Sequence, residues 1–337
     1  MRKVILSVIG GLFFFLSMAE GRIAFVRGGN IWLADNSGQS QVQITKEGNF
    51  SKPKWSPDGR FLVCERKYKG KLSIWLIDIR QMSAKRLTDY MSSWGLFPTF
   101  SSDGEYVIYT RGEVWIQDEY RDQLWAINVK SSKSILLEET AIEPPVFTFL
   151  SPCSIAGIKK ILWGEIPHEG RSDAFLYLRE RKGEFAPLIK TPFIPRKSKF
   201  DIWRPFQIFG SPAISWDRQY VAATRYIGID TGGSEEIKVK DEICIICLKD
   251  KQMISFKRLD AFRKEEPFSF SPDNRFLLFR KIPEEKRQKA QKNLPDIYLD
   301  LYSSWDLPFG DIWMLDIKKG SARLLIKNGM EPSWSPS

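Results

Sequence analysis

The sequence predicts an all-β fold: a six-bladed β-propeller of four-stranded antiparallel blades, its first blade closed by both termini. Three observations predict it. A Trp-centred strand recurs along the chain, a Ser-containing turn recurs upstream of it, and the two ends of the chain carry complementary parts of one repeat.

The Trp strand reads Asn30-Ile31-Trp32-Leu33-Ala34-Asp35 in its first copy. It returns as Ser73-Ile74-Trp75-Leu76-Ile77-Asp78, Gln123-Leu124-Trp125-Ala126-Ile127-Asn128 and Asp311-Ile312-Trp313-Met314-Leu315-Asp316. Weaker copies run from Ala174 to Arg179 and from Glu242 to Cys247. Aromatic and aliphatic residues concentrated over a strand-length run are the signal for a buried strand.

The turn is clearest in Trp55-Ser56-Pro57-Asp58-Gly59. Phe100-Ser101-Ser102-Asp103-Gly104 and Phe270-Ser271-Pro272-Asp273-Asn274 repeat it, and Phe149-Leu150-Ser151-Pro152 and Ser215-Trp216-Asp217 are degenerate copies. Pro presets φ at the second turn position, and Gly or Asn accepts the positive φ that closes a tight turn. An apolar strand follows each turn: Phe61 to Cys64, Tyr106 to Tyr109, Lys160 to Trp163, Tyr220 to Ala223 and Phe276 to Phe279. A further strand follows the Trp strand, as in Lys85 to Asp89 and Ala322 to Leu325. Four short strands at a period of ~40–50 residues make one propeller blade.

The last repeat ends after its first strand, Glu331 to Ser337, and the chain near its start carries the strand that would come next, Ile23-Ala24-Phe25-Val26. Pairing the two removes a free sheet edge. The expected domain is therefore residues 20–337.

The first 19 residues read as a signal peptide. Arg2 and Lys3 precede an apolar run from Val4 to Leu16, and Ser17-Met18-Ala19 places small residues for cleavage after Ala19. That run is short for a spanning helix, which needs about 20 residues. The expected location is periplasmic or secreted, with no membrane span after signal removal. The formal net charge is +10, and losing Arg2 and Lys3 leaves +8. These charges are scattered through strands and loops, which reads as a solvated surface and not as a nucleic-acid footprint.

The Trp-Ser-Pro-Asp-Gly turn, followed by an apolar strand and Ile-Trp-x-x-Asp, resembles the repeat of TolB-type (PD40, WD40-like) propellers over about residues 22–337. The resemblance implies the propeller fold and says little about function, because similar repeats serve binding proteins, peptidase accessory domains and polysaccharide lyases. TolB-type proteins carry a further N-terminal α/β domain, for which there is no room between Ala19 and Ile23, so the resemblance is to the propeller part.

No catalytic constellation stands out. His168 is the only His and falls in a loop, no Gly-x-Ser-x-Gly elbow is present, and a His-rich metal site is excluded by count. No metal or other cofactor is expected. In Cys244-Ile245-Ile246-Cys247, Cys244 takes the Trp position of its strand, and residues three apart point to opposite faces, so no disulfide or shared metal is expected. The repeated Asp58, Asp103 and Asp273 read as turn residues, and the Trp series reads as core.

Departures from the repeat carry the functional expectation. Connections from 191 to 211, from 227 to 241 and from 281 to 310 are enlarged, and Pro283-Glu284-Glu285 followed by basic residues suggests a short helix in the last. Arg196, Lys197, Trp203, Arg204, Tyr298, Tyr302 and Trp305 are the expected partner-binding residues, since long loops on a rigid scaffold and aromatic-plus-Arg content mark binding surfaces. The expected function is a monomeric, non-enzymatic binding module for an envelope or extracellular partner, a protein or an anionic glycan. The alternative is a propeller enzyme acting on a glycan or peptide.

Overall fold

The computed structural model describes residues 4–5, 22–92, 96–116, 119–142, 150–164, 175–180, 186–190, 207–209, 212–229, 238–256, 268–283 and 310–336. The chain divides into two units, Met1–Ser92 with Glu265–Ser337, and Ser93–Lys264. The first unit opens with β1 (Val4–Ile5), β2 (Arg22–Arg27), β3 (Asn30–Asp35), β4 (Val42–Gln43), β5 (Phe50–Trp55), β6 (Phe61–Tyr68), β7 (Lys71–Asp78) and β8 (Ser83–Arg86). The second unit holds β9 (Thr99–Phe100), β10 (Tyr106–Ile116), β11 (Glu119–Asn128), β12 (Ser134–Ile142), β13 (Leu150–Ala156), β14 (Lys160–Gly164) and β15 (Phe175–Glu180). It continues with β16 (Ala186–Lys190), β17 (Gln207–Phe209), β18 (Ala213–Ile214), β19 (Tyr220–Ile229), β20 (Lys238–Cys247) and β21 (Met253–Phe256). The chain returns to the first unit for β22 (Ser269–Phe270), β23 (Phe276–Lys281), β24 (Asp311–Asp316), β25 (Ser321–Ile326) and β26 (Met330–Trp334). All named elements among the described residues are strands, and none is a helix long and apolar enough to cross a membrane.

In the first unit the blades are β26-β2-β3-β4, β5-β6-β7-β8 and β22-β23-β24-β25, with β1 added to the outer edge of β8. In the second they are β9-β10-β11-β12 and β13-β14-β15-β16. The expected four-strand blade is thus formed five times, which corrects the expectation of six. The remaining sheet of the second unit breaks the pattern: β17 and β18 both pair with β19, followed by β20 and β21. The chain between those two short strands is Gly210-Ser211-Pro212. Pro212 cannot donate to a ladder, and the first strand there is split.

Register places the repeat positions opposite one another. Trp32 faces Phe25, Trp75 faces Cys64, Trp125 faces Tyr109 and Trp313 faces Phe279. Cys244 sits opposite Ala223, at the Trp position of its sheet. One turn is displaced from its expected place. Phe149 to Pro152 is not the turn of its blade, because Leu150–Ala156 is a strand and the hairpin closes at Lys159 N to Ala156 O, 3.0 Å. Ser154 lies opposite Ile161, as Trp55 lies opposite Leu62. Pro152 therefore matches Pro53, ahead of the strand's end, and not the turn's Pro57.

The closure of the first blade is observed. Ile23 pairs with Trp334, Ala24 with Ser333 and Val26 with Met330. Ile23, Phe25, Ala34, Leu278, Ile312, Met314, Ile326 and Trp334 form one buried cluster, which ties this sheet to the β22–β25 blade. In the second unit Ile108, Leu124 and Ala126 pack on Ile161, and Leu162 packs on Val221, Ala223, Cys244 and Ile246. Sheet-to-sheet packing through inward-facing apolar residues drives each unit's folding.

Candidate functional site

The residues singled out from sequence, Arg196, Lys197, Trp203, Arg204, Tyr298, Tyr302 and Trp305, lie outside the described residues, as do His168 and the helix expected after Pro283. The chemistry of the described blades is therefore built from their own strands and turns.

The repeated Asp residues are held by their turns. Ser56 Oγ donates to Asp58 Oδ1 and accepts from Phe61 N at 2.8 Å, and Arg60 N donates to the same carboxylate oxygen at 3.1 Å. Ser101 and Asp103, Ser215 and Asp217, and Ser271 and Asp273 repeat this three-bond arrangement. Such side-chain bonds fix the turn before the second strand begins. Burial pushes the Asp273 carboxyl up, but bonds from Ser271 Oγ and Arg275 N, with the charge of Arg275, outweigh it and hold it below its ordinary value. An acid so placed is kept ionised and turned toward its own backbone, the opposite of a general acid.

The first strands of two blades carry a charge network that the repeat pattern does not announce. Lys52 Nζ lies 3.2 Å from Glu65 Oε1, and Lys52 N donates to Glu331 Oε2. Lys52 and Glu331 each precede a Pro and each have positive φ, 53° and 49°. The ladder shifts register at both places. A residue before Pro normally stays extended, and positive φ is strained for a residue with a Cβ. The bulges turn Lys52 N–H toward Glu331, linking β5 to β26. Burial raises the Glu331 carboxyl above its ordinary value; the bond from Lys52 N and the charges of Lys52 and Arg280 oppose this, and Glu65 adds to it. The sequence signal is a Pro three residues before the turn Ser, at Pro53 and Pro332 and again at Pro98 and Pro212.

The four cysteines are free. Cys244 is buried, its Sγ donates to Ala223 O at 3.2 Å, and burial pushes its thiol up to about 12. Burial raises the Cys64 thiol as well. A thiol held protonated is a poor nucleophile and metal ligand. Cys247 is half-buried on the other face of β20. Among the described residues no group of three or more His, Cys, Asp or Glu could hold a metal ion.

The Trp strands are only partly the core expected of them. Trp75 is buried, whereas Trp32, Trp125 and Trp313 are half-buried. Among the described residues, basic side chains lie over three of these Trp rings. Arg27 lies over Phe25 and Trp32, Arg66 over Phe50 and Trp75, and Lys281 over Trp313, at 4.9–5.2 Å from the ring centroids. Each cation sits two residues past the Trp's cross-strand partner, so the repeat contains a cation position that the Trp pattern had hidden.

No protein family's sequence profile matches the chain. The Tol-Pal system protein TolB of Desulfotalea psychrophila is 28% identical over 109 residues, which is 31% of this chain and 25% of that protein. The matched stretch thus spans about a quarter of that relative's length. The crystal structure of TolB from Acinetobacter baumannii superposes with a TM-score of 0.63 at 15% identity, covering 94% of this chain and 67% of that one. A putative TolB from Agrobacterium tumefaciens gives 0.53 at 13% identity, covering 93% and 91%. The chain has a β-propeller fold distantly related to the TolB type.

Proposed function

We propose that the chain is an exported, TolB-like propeller that acts as a non-enzymatic binding module for an envelope or extracellular partner, a protein or an anionic glycan. One observation carries this reading. The repeat's carboxylates at Asp58, Asp103, Asp217 and Asp273 are each bonded within their own turn, so the scaffold spends its acids on structure. Recognition then falls to departures from the repeat, as is usual for loops on a rigid frame. The enlarged connections holding Arg196, Lys197, Trp203, Arg204, Tyr298, Tyr302 and Trp305 are the proposed recognition surface, rich in the residue types that dominate interface energetics. Export and a periplasmic or secreted location rest on the N-terminal leader read in the sequence.

The test is affinity capture from envelope extract on the immobilised protein. The expected result is a partner retained by the wild type and lost when Trp203 and Arg204 are both replaced by Ala, with thermal unfolding unchanged. Retention of the same partner by that variant refutes the loop assignment.

A further inference from the structure

The β6–β7 hairpin makes a surface that the Trp pattern does not predict. Lys69 and Gly70 close its turn with φ of 48° and 78°, and the sequence across the tip is Lys67-Tyr68-Lys69-Gly70-Lys71. Tyr68 and Lys71 are cross-strand partners, so their side chains share one sheet face. Arg86 of β8 lies opposite Trp75 and belongs to that face too. The chain beyond β8 is held against the hairpin by paired bonds between Leu72 and Met91, at 2.7 and 2.8 Å. That bridge brings Tyr90 to Tyr68, with ring centroids 5.6 Å apart. Lys69 Nζ stands 5.6 Å from the Tyr68 centroid, and the Arg86 guanidinium 5.2 Å from that of Tyr90. The order along the surface is cation, ring, ring, cation.

The patch is open and under-neutralised. Tyr68 is 52% exposed, a large aromatic left in water at a hairpin tip. Lys67, Lys69 and Lys71 are exposed and make no ion pair among the described residues. Among the described residues the acid bonded to the patch is Asp89, 3.2 Å from Arg86 and itself 93% exposed. At the tip the backbones of β6 and β7 are paired with each other, from Arg66 with Ser73 to Tyr68 with Lys71, so what the turn presents is its side chains. What remains is a hairpin turn with Tyr68 exposed beside Lys69 and Lys71, while Lys67, opposite Leu72, extends the exposed charge to the other sheet face.

We propose that this hairpin tip docks the protein on an anionic lipid bilayer surface as a peripheral contact. Small-molecule sites are usually concave, whereas this surface is a hairpin tip. Tyrosine suits the headgroup level of a membrane, where its ring is apolar on one side and its hydroxyl remains wet. Lysines reach along their stems to place charge among lipid phosphates while their methylenes follow the rings. The chain's basic balance adds a longer-range attraction of the same sign. The inference rests on reading the chain as an exported binding module, since export brings it to a leaflet. The vesicle test below needs neither export nor the loop residues, so the two proposals fail separately.

The test is co-sedimentation of the purified protein with phosphatidylcholine vesicles, with and without phosphatidylglycerol. Partition is expected only onto the anionic vesicles and is expected to weaken as salt rises. A Lys near an anionic surface contributes enough to change partition about fivefold, so K67Q, K69Q and K71Q combined should lower it on the order of a hundredfold. A charge-matched variant, K130Q with K249Q and K318Q, should keep most of the partition. Circular dichroism on both variants reports that the fold is retained. Failure to partition onto anionic vesicles overturns the proposal. So does an equal loss in the charge-matched variant, which would make the binding a matter of net charge alone. Hairpin-dependent capture by a soluble acidic polysaccharide or acidic peptide, without vesicle partition, also overturns it and reassigns the patch.

Discussion

Ser335 and Arg22 exchange two hydrogen bonds: Arg22 N donates to Ser335 Oγ at 2.7 Å, and Ser335 N donates to Arg22 O at 2.7 Å. The same two bonds join Ser56 and Phe61 within a continuous turn, at 2.8 Å each. The closing blade thus rebuilds a blade turn between residues 313 positions apart, without the covalent link. Ser335→Ala leaves the Arg22 amide without its acceptor and should cost about 1–3 kcal/mol. The shift in urea midpoint checks it, and no shift means the turn bonds are idle at the closure.

Removing residues 331–337 should cost more. Trp334 is 3% exposed, its indole N–H donates to Asn36 Oδ1, and its amide donates to Ser269 Oγ. Burial of that side chain alone is worth about 1.5–3 kcal/mol, before the exposed edge of β2 is counted. Thermal unfolding of the truncated chain should move down by several degrees. An unchanged midpoint contradicts the closure.

Glu331 and Asp273 should show opposite pH profiles. The raised carboxyl of Glu331 favours folding while protonated, so that contribution is present below the unfolded value of about 4.3 and is lost as pH rises through the folded value. Glu331→Gln should therefore gain stability relative to wild type as pH climbs through that window, and match it below. Chemical denaturation at a series of pH values reads this, and a constant difference at every pH refutes it.

The lowered carboxyl of Asp273 stabilises the fold above the unfolded value of about 3.9 and loses that contribution as pH falls through the folded value. Asp273→Ala should cost about 1 kcal/mol near neutrality, shrinking in acid. A penalty that persists at low pH would assign it to packing instead of charge.

Cysteine alkylation reports the sheet faces. Cys64 and Cys244 should resist iodoacetamide in the native protein, while Cys247 reacts, and all three should label after unfolding. Mass spectrometry of the labelled peptides checks this, and native labelling of Cys244 would contradict its place at the Trp position.

Much of the blade architecture is legible because it rests on period and register. The Trp strands, the turn Ser and Asp bonds, the closure by Ile23 and Trp334, and Cys244 in place of a Trp all follow from position in the repeat. The displaced turn at Ala156 to Lys159 was hidden because each repeat contains two Pro positions and Pro152 fits either. The split of β17 from β18 falls at Pro212, three residues before Ser215, the position that Pro53 holds before Ser56. Positive φ at Lys52 and Glu331 runs against the preference of residues before Pro, so local rules predict the reverse. The hairpin patch was missed for another reason. Each of its lysines alone reads as solvated surface, and only the Leu72–Met91 bridge brings Tyr90 to Tyr68.

The repeat builds the scaffold, and partner capture is assigned to the enlarged connections outside it. Measuring partner capture and thermal unfolding together, on the Asp273→Ala chain and on the Trp203→Ala, Arg204→Ala chain, tests this most directly. The expected result is a lowered midpoint with capture intact for the first, and an intact midpoint with capture lost for the second. Capture lost with the turn Asp while the fold holds would place the function in the repeat and overturn the loop assignment.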